Sequence, residues 1–195
     1  MKYGSCIYQP IPKTGSATIR EIISNWKNFS ISVDRPPEEP IDPSFRRYCD
    51  IGVKKWEESF KFTFVRNPFE RIVSAWCYLA AKQTFGEFIK KFLARIDINN
   101  KETYISNSWE FHVSSLTNSK FHVQDMNFIG KTETLQHAFD TICDKVEVKR
   151  LILPHKNKSK HRHYSEYYDE ETKEIVAEKY AKDIEYFGYE FGGRN

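Results

Sequence analysis

The sequence predicts an α/β protein in which a mostly parallel sheet is flanked by helices. Three observations support this fold class: short apolar strands alternate with amphipathic helices, the 195 residues suit a single domain over residues 1–195, and no internal repeat occurs. Ligands of such sheets bind outside the carboxyl ends of the strands. We therefore expect a site at the turn after Gln9 and at the turn after Val65.

The first strand is predicted at residues 5–9, since two prolines follow it directly. A helix comes next, because apolar side chains recur at i, i+3, i+4 and i+7, at Ile19, Ile22, Ile23 and Trp26. Residues 30–50 are polar and rich in proline, which predicts a loop or lid.

Residues 60–65 are aromatic or β-branched and partly alternate with polar residues, which predicts a second strand. A helix start follows, with Asn67 as N-cap, Pro68 in the first helical position, and Glu70 able to reach back to the cap. The apolar face of this helix is predicted at Ile72, Val73, Trp76 and Ala80.

The rest of the chain adds three predicted helices and two short strands. The clearest amphipathic pattern, which we assign to the core, is Phe85, Phe88, Ile89, Phe92, Leu93 and Ile96. Residues 97–124 fit no single period, whereas residues 126–129 and 151–153 are predicted strands. A fourth helix is predicted on Leu135, Phe139, Ile142 and Val146. A last helix is predicted on Val176, Tyr180, Ile184 and Phe187, ended by Gly188.

Charge and hydropathy exclude some classes of protein. The net charge of +3 and pI of about 8.5 are too mild to indicate nucleic-acid binding, but they suit a protein that handles an anionic ligand. Residues 149–162 are basic and contain no acid, which indicates either a solvated loop or a local anion site. No run of about 20 apolar residues occurs, so no membrane span is predicted.

The cysteines bear on the compartment. Cys6, Cys49, Cys77 and Cys143 form no CxxC pair and no metal-like spacing with histidine. We expect reduced thiols in a cytoplasmic bacterial or viral enzyme. The alternative is the lumenal ectodomain of a larger protein, where these cysteines could pair.

The turn after the first strand has the physical features of an anion site. Gly15 lets the backbone approach a ligand, free N–H groups and the helix dipole favour an anion, and Ser16 and Thr18 add hydroxyl donors. Lys13 adds a positive charge, but it precedes the glycine, so this is not a Walker A loop. The alternative is an ordinary strand–helix turn with a capping box from Thr18 to Glu21.

The turn after the second strand carries a second candidate anion site. Arg66 ends a strand, where its guanidinium can fork onto a phosphate. Ser74 lies four residues beyond Glu70 and seven beyond Asn67, on the same face of the helix, so it can converge with Arg66. In the alternative, Arg66 pairs with a carboxylate and Ser74 only packs.

The two turns together resemble a known family. Residues 12–18, PKTGSAT, look like the 5′-phosphosulfate loop of sulfotransferases that use 3′-phosphoadenosine 5′-phosphosulfate (PAPS), and residues 64–76, FVRNPFERIVSAW, look like their 3′-phosphate motif. The combination is similar to carbohydrate sulfotransferases of the Golgi type and their soluble bacterial relatives. Residues 128–133, 153–159 and 180–189 resemble later segments of that family.

This resemblance implies the sulfotransferase fold, a P-loop-like central parallel sheet flanked by helices. It implies PAPS as donor, 3′-phosphoadenosine 5′-phosphate (PAP) as product, and no metal. Lys13 would neutralise charge on the bridging oxygen, and Arg66 and Ser74 would hold the 3′-phosphate. The residues implied for the 5′-phosphosulfate are Lys13, Thr14, Gly15, Ser16, Ala17 and Thr18. The basic residues implied to fold over the nucleotide are Lys156, Lys158 and Arg162.

The general base is not fixed by the resemblance. Relatives often carry a His or Glu between the first helix and the second strand, but this chain has no histidine before His112. Glu38 and Glu39 lie in the proline-rich loop and are candidates, as is His112. His161 and His163 are too few for a metal site.

The expected reaction is sulfuryl transfer by in-line displacement to a hydroxyl or amine, on a carbohydrate or another small-molecule acceptor. One alternative is a module that binds PAP or PAPS without turnover, because the base is unassigned. Another is a P-loop-type kinase, against which the missing Walker lysine argues. Acceptor specificity is expected in residues 30–56 and 97–122. The sequence does not predict the oligomeric state.

Overall fold

The computed structural model describes residues 6–24, 29–31, 58–80, 82–98, 112–117, 123–154 and 162–193. The chain divides into two compact units, Met1–Val65 with Lys120–Lys156, and Arg66–Ser119 with Asn157–Asn195. Each unit has its own hydrophobic core. That residues 1–195 form a single domain stays a prediction, because two compact units can belong to one domain.

A parallel sheet forms the first unit, as the sequence predicts. Its four strands within the described residues are β1 (Cys6–Gln9), β2 (Phe29–Ile31), β3 (Phe60–Val65) and β4 (Phe128–Lys131). Their order is β2-β1-β3-β4, and every neighbouring pair is parallel. The predicted fold class, an α/β fold with a central parallel sheet flanked by helices, is confirmed.

The described helices are α1 (Ser16–Ile23), α2 (Pro68–Leu79), α3 (Phe85–Glu87), α4 (Leu135–Lys145), α5 (Glu170–Lys179) and α6 (Ala181–Phe187). Single 3₁₀ turns occur at Val123–Asp125, Thr132–Thr134 and Tyr164–Tyr167. No helix in the described part of the chain is long and apolar enough to cross a membrane.

The strand order places a topological switch point between β1 and β3. From β1 the chain continues to β2 on one side, and β3 then pairs with the other side of β1. Gln9 and Thr63 are register partners at the carboxyl end of this pair, and the Thr63 hydroxyl donates to the Gln9 carbonyl at 2.7 Å. In open α/β sheets, the crevice at such a switch point is where ligands bind.

The core of the first unit is rich in aromatic rings. Tyr8 stacks on Phe62, with ring centroids 5.3 Å apart, and meets Phe64 edge to face at 6.2 Å. Helices α1 and α4 bury their apolar faces with these rings, as their sequence patterns predict. Gly130 of β4 leaves room for this packing, since a Cβ atom there would lie 2.7 Å from the ring of Phe64.

The predicted helix over residues 85–96 has a buried face but an irregular winding. After α3 the backbone forms a π turn over Phe88–Phe92 and a 3₁₀ turn over Leu93–Arg95. Phe85, Phe88, Ile89 and Leu93 are buried, which confirms the core assignment. The apolar spacing shows which face is buried, but it is compatible with several hydrogen-bond steps, so the π turn was not predictable from it.

The predicted bounds of one loop and one strand needed correction. The segment predicted as a loop from residue 30 contains part of β2, which is too short to show alternation. Strand β4 begins at Phe128 and not at Met126, because Asn127 accepts from β3 with its side-chain oxygen in place of a backbone carbonyl. The amide of Lys61 donates to Asn127 Oδ1, and the amide of Asn127 donates to the Lys61 carbonyl, both at 2.8 Å.

The strand predicted at residues 151–153 is wrong. Within residues 150–154, Ile152 is 91% exposed, and the backbone pairs with a side chain. Gln136 of α4 accepts from the amide of Leu153 at 2.8 Å and donates to the carbonyl of Leu151 at 3.0 Å. These two backbone groups are therefore satisfied without a sheet.

The last predicted helix is divided in two at Tyr180. Helix α5 ends at Lys179 and α6 begins at Ala181, and the buried Tyr180 hydroxyl donates to the carbonyl of Val113. Gly188 ends α6 in the left-handed conformation, with φ of 64°, as predicted.

Candidate functional site

The loop after β1 is tightly folded. Pro12 to Gly15 form a turn, and the buried Thr14 hydroxyl donates to the carbonyl of Ile11 at 2.8 Å. Thr14 therefore serves first to close the loop. Lys13 is half-buried, Gly15 is exposed, and α1 begins immediately after them at Ser16.

Two residues of this loop have a positive φ. Gly15 has φ of 76°, and a Cβ atom there would lie 3.3 Å from Cδ2 of Leu135. Lys13 has φ of 67°, which is unusual for a residue with a side chain. The left-handed turns direct the backbone into the start of α1, so this part of the loop requires glycine at residue 15 for conformation and space.

The start of α1 is suited to an anion. Gly15 is the N-cap, and no side chain caps the helix there. The first amides of a helix have no partner within it, and the helix dipole makes that end positive. A capping box from Thr18 to Glu21, the alternative prediction for this turn, would need Thr18 as the N-cap. Thr18 lies instead inside the first turn of α1, so that box does not form. Ser16 is half-buried, Ala17 is exposed and Thr18 is buried.

The N-cap of α2 is the residue that the sequence predicts. Asn67 is the N-cap and accepts from the amide of Phe69 at 3.1 Å, with Pro68 in the first turn. The Asn67 side-chain amide also donates to the carbonyl of Glu190 at 2.9 Å. The cap thus fixes the direction in which the chain enters α2 from Arg66.

Arg66 and Ser74 lie on this second element. Arg66 Nη2 lies 2.7 Å from Glu70 Oε1, and the two side chains are 18% and 28% exposed. The sequence offered this pairing with a carboxylate as the alternative to phosphate binding by Arg66. The pairing orients the guanidinium along the first turn of α2. Ser74 is half-buried one turn further along the same face. The loop of Lys13 lies in the first unit, whereas Arg66 and Ser74 lie in the second.

The remaining predicted site residues are only partly described. His112 is half-buried and stacks on the ring of Tyr78, with centroids 5.3 Å apart. Arg162 is exposed, 3.9 Å from Glu166 Oε2 and over the ring of Tyr167. The other predicted base and loop residues lie outside the described residues: Glu38, Glu39, Lys156 and Lys158.

A buried polar network in the second unit was missed by the sequence analysis. Arg71 is completely buried and donates to the carbonyl of Ser114 at 2.7 Å. Burial lowers the pKa of Arg71, while nearby Tyr180 and Asp183 raise it. A signal was present, because Arg71 and Asp183 both sit beside apolar positions of predicted helices, where a charged side chain needs a buried partner.

Asp183 is the acceptor at the centre of this network. It is buried, and Oδ1 accepts from Ser115 Oγ at 2.5 Å and from the amide of Thr117 at 2.9 Å. Oδ2 accepts from the amide of Leu116 at 2.6 Å. These bonds fix the backbone that follows His112.

Comparison with known proteins identifies the family. In the described residues, no group of three or more His, Cys, Asp or Glu side chains could hold a metal ion. Neither the curated proteins nor the solved structures give a match to this chain. The model of the sulfotransferase family, however, matches residues 3–190, nearly the whole chain. The protein therefore belongs to the sulfotransferase family, and its activity is sulfuryl transfer.

Proposed function

We propose that the protein transfers a sulfuryl group from PAPS to a hydroxyl or amine of a carbohydrate. The observation that carries the proposal is the uncapped start of α1 behind a left-handed glycine, next to the switch point of the sheet. That arrangement suits a phosphate or sulfate group. The motif after β3 supplies the feature that discriminates PAPS from other nucleotides.

The loop after β1 is assigned to the 5′-phosphosulfate. The amides that begin α1, at Ser16, Ala17 and Thr18, donate to its oxygens, and Gly15 permits the close approach of the backbone. Lys13 places its ammonium where negative charge develops on the bridging oxygen as the S–O bond breaks. Thr14 supports the group indirectly, because its hydroxyl already bonds the Ile11 carbonyl.

The start of α2 is assigned to the 3′-phosphate. Arg66 presents a guanidinium oriented by Glu70, and Ser74 adds a hydroxyl on the same helix face. AMP lacks this phosphate, so these two residues make the site selective. Lys156, Lys158 and Arg162 are proposed to cover the nucleotide with positive charge.

The transfer itself needs a proton acceptor. The acceptor oxygen or nitrogen forms a bond to sulfur, the bond from sulfur to the bridging oxygen breaks, and PAP leaves with the electron pair. The proton of the acceptor passes to a base, for which His112, Glu38 and Glu39 are the candidates. The scheme uses positioning and fixed positive charge and requires no metal.

A thermal-shift titration tests the donor site. PAP at 100 times its Kd should add about 2.7 kcal/mol of stability, whereas AMP and ATP should add far less. A shift that ATP with magnesium matches would contradict the 3′-phosphate assignment and favour the kinase. A shift with PAP, but no transfer from PAPS to any acceptor, would favour the binding module.

A further inference from the structure

Tyr78 is unusual among the aromatic residues of α2. Phe69 of this helix is buried and Trp76 is half-buried, whereas Tyr78 is 67% exposed. Its ring stacks against that of His112, with centroids 5.3 Å apart and an angle of 30° between the ring planes. An exposed ring held against a second ring offers a flat surface whose orientation is fixed.

The backbone that follows His112, the partner of Tyr78, is extensively hydrogen-bonded. The segment that follows His112 is bonded to buried groups: the Val113 carbonyl to the Tyr180 hydroxyl, and the Ser114 carbonyl to Arg71. Asp183 accepts from the next three residues, 115–117. A backbone bonded in this way needs little reordering when a ligand binds.

Tyr78 lies one turn beyond Ser74, the proposed anion-binding residue of α2. Glu70, which orients Arg66, is four residues before Ser74, and Tyr78 is four residues after it. Residues at this spacing share one face of a helix, about 6 Å apart along the axis. A ligand that reaches Ser74 from that face therefore has Tyr78 and His112 one turn away.

We propose that the Tyr78–His112 ring pair is a subsite for the acceptor, in which one ring of a sugar packs its C–H face on Tyr78. The inference rests on the proposed function and adds a specificity-determining residue to it. A pyranose with equatorial hydroxyls has an apolar face of C–H groups that fits an aromatic ring, while its edge is free to hydrogen-bond. His112, a candidate base, is the ring against which Tyr78 stacks.

Three variants test the subsite. Tyr78→Ala removes the ring at an exposed position, Tyr78→Phe keeps it, and Tyr186→Ala removes a tyrosine that is 53% exposed on α6. Acceptor KM and kcat are measured with PAPS and a panel of unsulfated glycosaminoglycan oligosaccharides and neutral β-linked disaccharides. Acceptor Kd is measured by calorimetry with PAP present, so that binding is read without turnover, and PAP Kd is measured separately.

Tyr78→Ala should raise acceptor KM and Kd roughly 10-fold, the value of one good aromatic contact, and leave PAP Kd within about 2-fold of wild type. Tyr78→Phe and Tyr186→Ala should resemble wild type. The subsite is overturned if Tyr78→Ala leaves acceptor Kd unchanged, or if wild type with PAP bound binds no saccharide. It is also overturned if Tyr78→Ala weakens PAP binding as much as acceptor binding, which would place the adenine on the ring. Loss of PAP binding in wild type would instead overturn the proposed donor site.

Discussion

At the scale of single residues, Lys13 combines a charge with a strained backbone. Its φ of 67° lies in the left-handed region, which costs a residue with a Cβ atom about 1–2 kcal/mol relative to glycine. Residues held in such conformations cluster at functional sites, where the surrounding structure determines them. The outlier thus supports the role proposed for the Lys13 ammonium.

Replacing Lys13 should separate activity from stability. Lys13→Gly should relieve the strain and leave the protein as stable as wild type or up to about 1 kcal/mol more stable, while Lys13→Ala keeps the strain. Both should lose at least about 100-fold in kcat, because the charge on the bridging oxygen is no longer neutralised. Urea denaturation and sulfate-transfer assays measure the two effects. Lys182→Ala, at an exposed lysine of α6, is the control, and transfer undiminished in Lys13→Ala would contradict the role.

Arg66 should determine selectivity for the 3′-phosphate. Arg66→Ala is expected to weaken PAP by about 10-fold or more and to leave AMP nearly unchanged, since a charged hydrogen bond is worth about 1.5–3 kcal/mol. Glu70→Gln should have a smaller effect, because it only loosens the orientation of the guanidinium. Calorimetry with both nucleotides measures this.

Arg95→Ala is the control for Arg66, because Arg95 is an exposed arginine of the same compact unit and has no assigned role in the site. It should bind both nucleotides like wild type. If Arg66→Ala weakened AMP as strongly as PAP, Arg66 would not be the residue that recognises the 3′-phosphate.

At the scale of elements, two of the left-handed glycines, Gly15 and Gly188, offer a matched comparison. Gly15→Ala should destabilise the protein by about 1–2 kcal/mol and also weaken PAP, since φ is 76° and the new Cβ would press on Leu135. Gly188→Ala, with φ of 64° and open space around it, should cost similar stability without affecting PAP. Thermal denaturation with and without PAP measures both. Equal PAP affinity in the two variants would contradict an anion site at α1.

The buried Asp183 should be essential to the fold of the second unit. Asp183→Ala leaves the amides of Leu116 and Thr117 without their acceptor, so we expect a loss of about 3 kcal/mol or more. Glu185→Ala, at an exposed residue of the same helix, should change stability by less than about 0.5 kcal/mol. Urea denaturation compares the two. A small effect at Asp183 would mean that water replaces its bonds.

At the scale of the whole molecule, stability should fall in mild alkali. Burial raises the pKa of the Cys6 thiol and of the Cys143 thiol, each to about 11. The unfolded chain ionises near pH 9 and the folded chain does not, so the stabilisation is complete below pH 9 and is lost as the pH rises toward 11. Between pH 7.5 and 9.5, each thiol should remove about 1 kcal/mol.

Urea denaturation at the two pH values checks this dependence in wild type and in the double variant Cys6→Ala, Cys143→Ala. The variant is less stable throughout, because it lacks two buried side chains, but its stability should change less with pH. Equal slopes in the two proteins would show that other groups titrate.

The sequence by itself determined the features that depend on neighbouring residues. Strand β3 has the predicted bounds, Asn67 caps α2, and the glycine-containing turn leads into α1, because caps, turns and apolar periods are set within a few residues. The two motifs also indicated the sulfotransferase family, which the family comparison shows. The roles of the individual site residues stay predictions.

Only the tertiary structure decided the features that join distant parts of the chain. The order β2-β1-β3-β4, with its switch point beside the Lys13 loop, depends on pairing between strands far apart in sequence. The bonds of Gln136 to the backbone of residues 151–153, which replace a strand, and the acceptor role of Asp183 arise in the same way. The physical reason is that a buried polar group takes whichever partner the fold brings to it, and no local pattern encodes that partner.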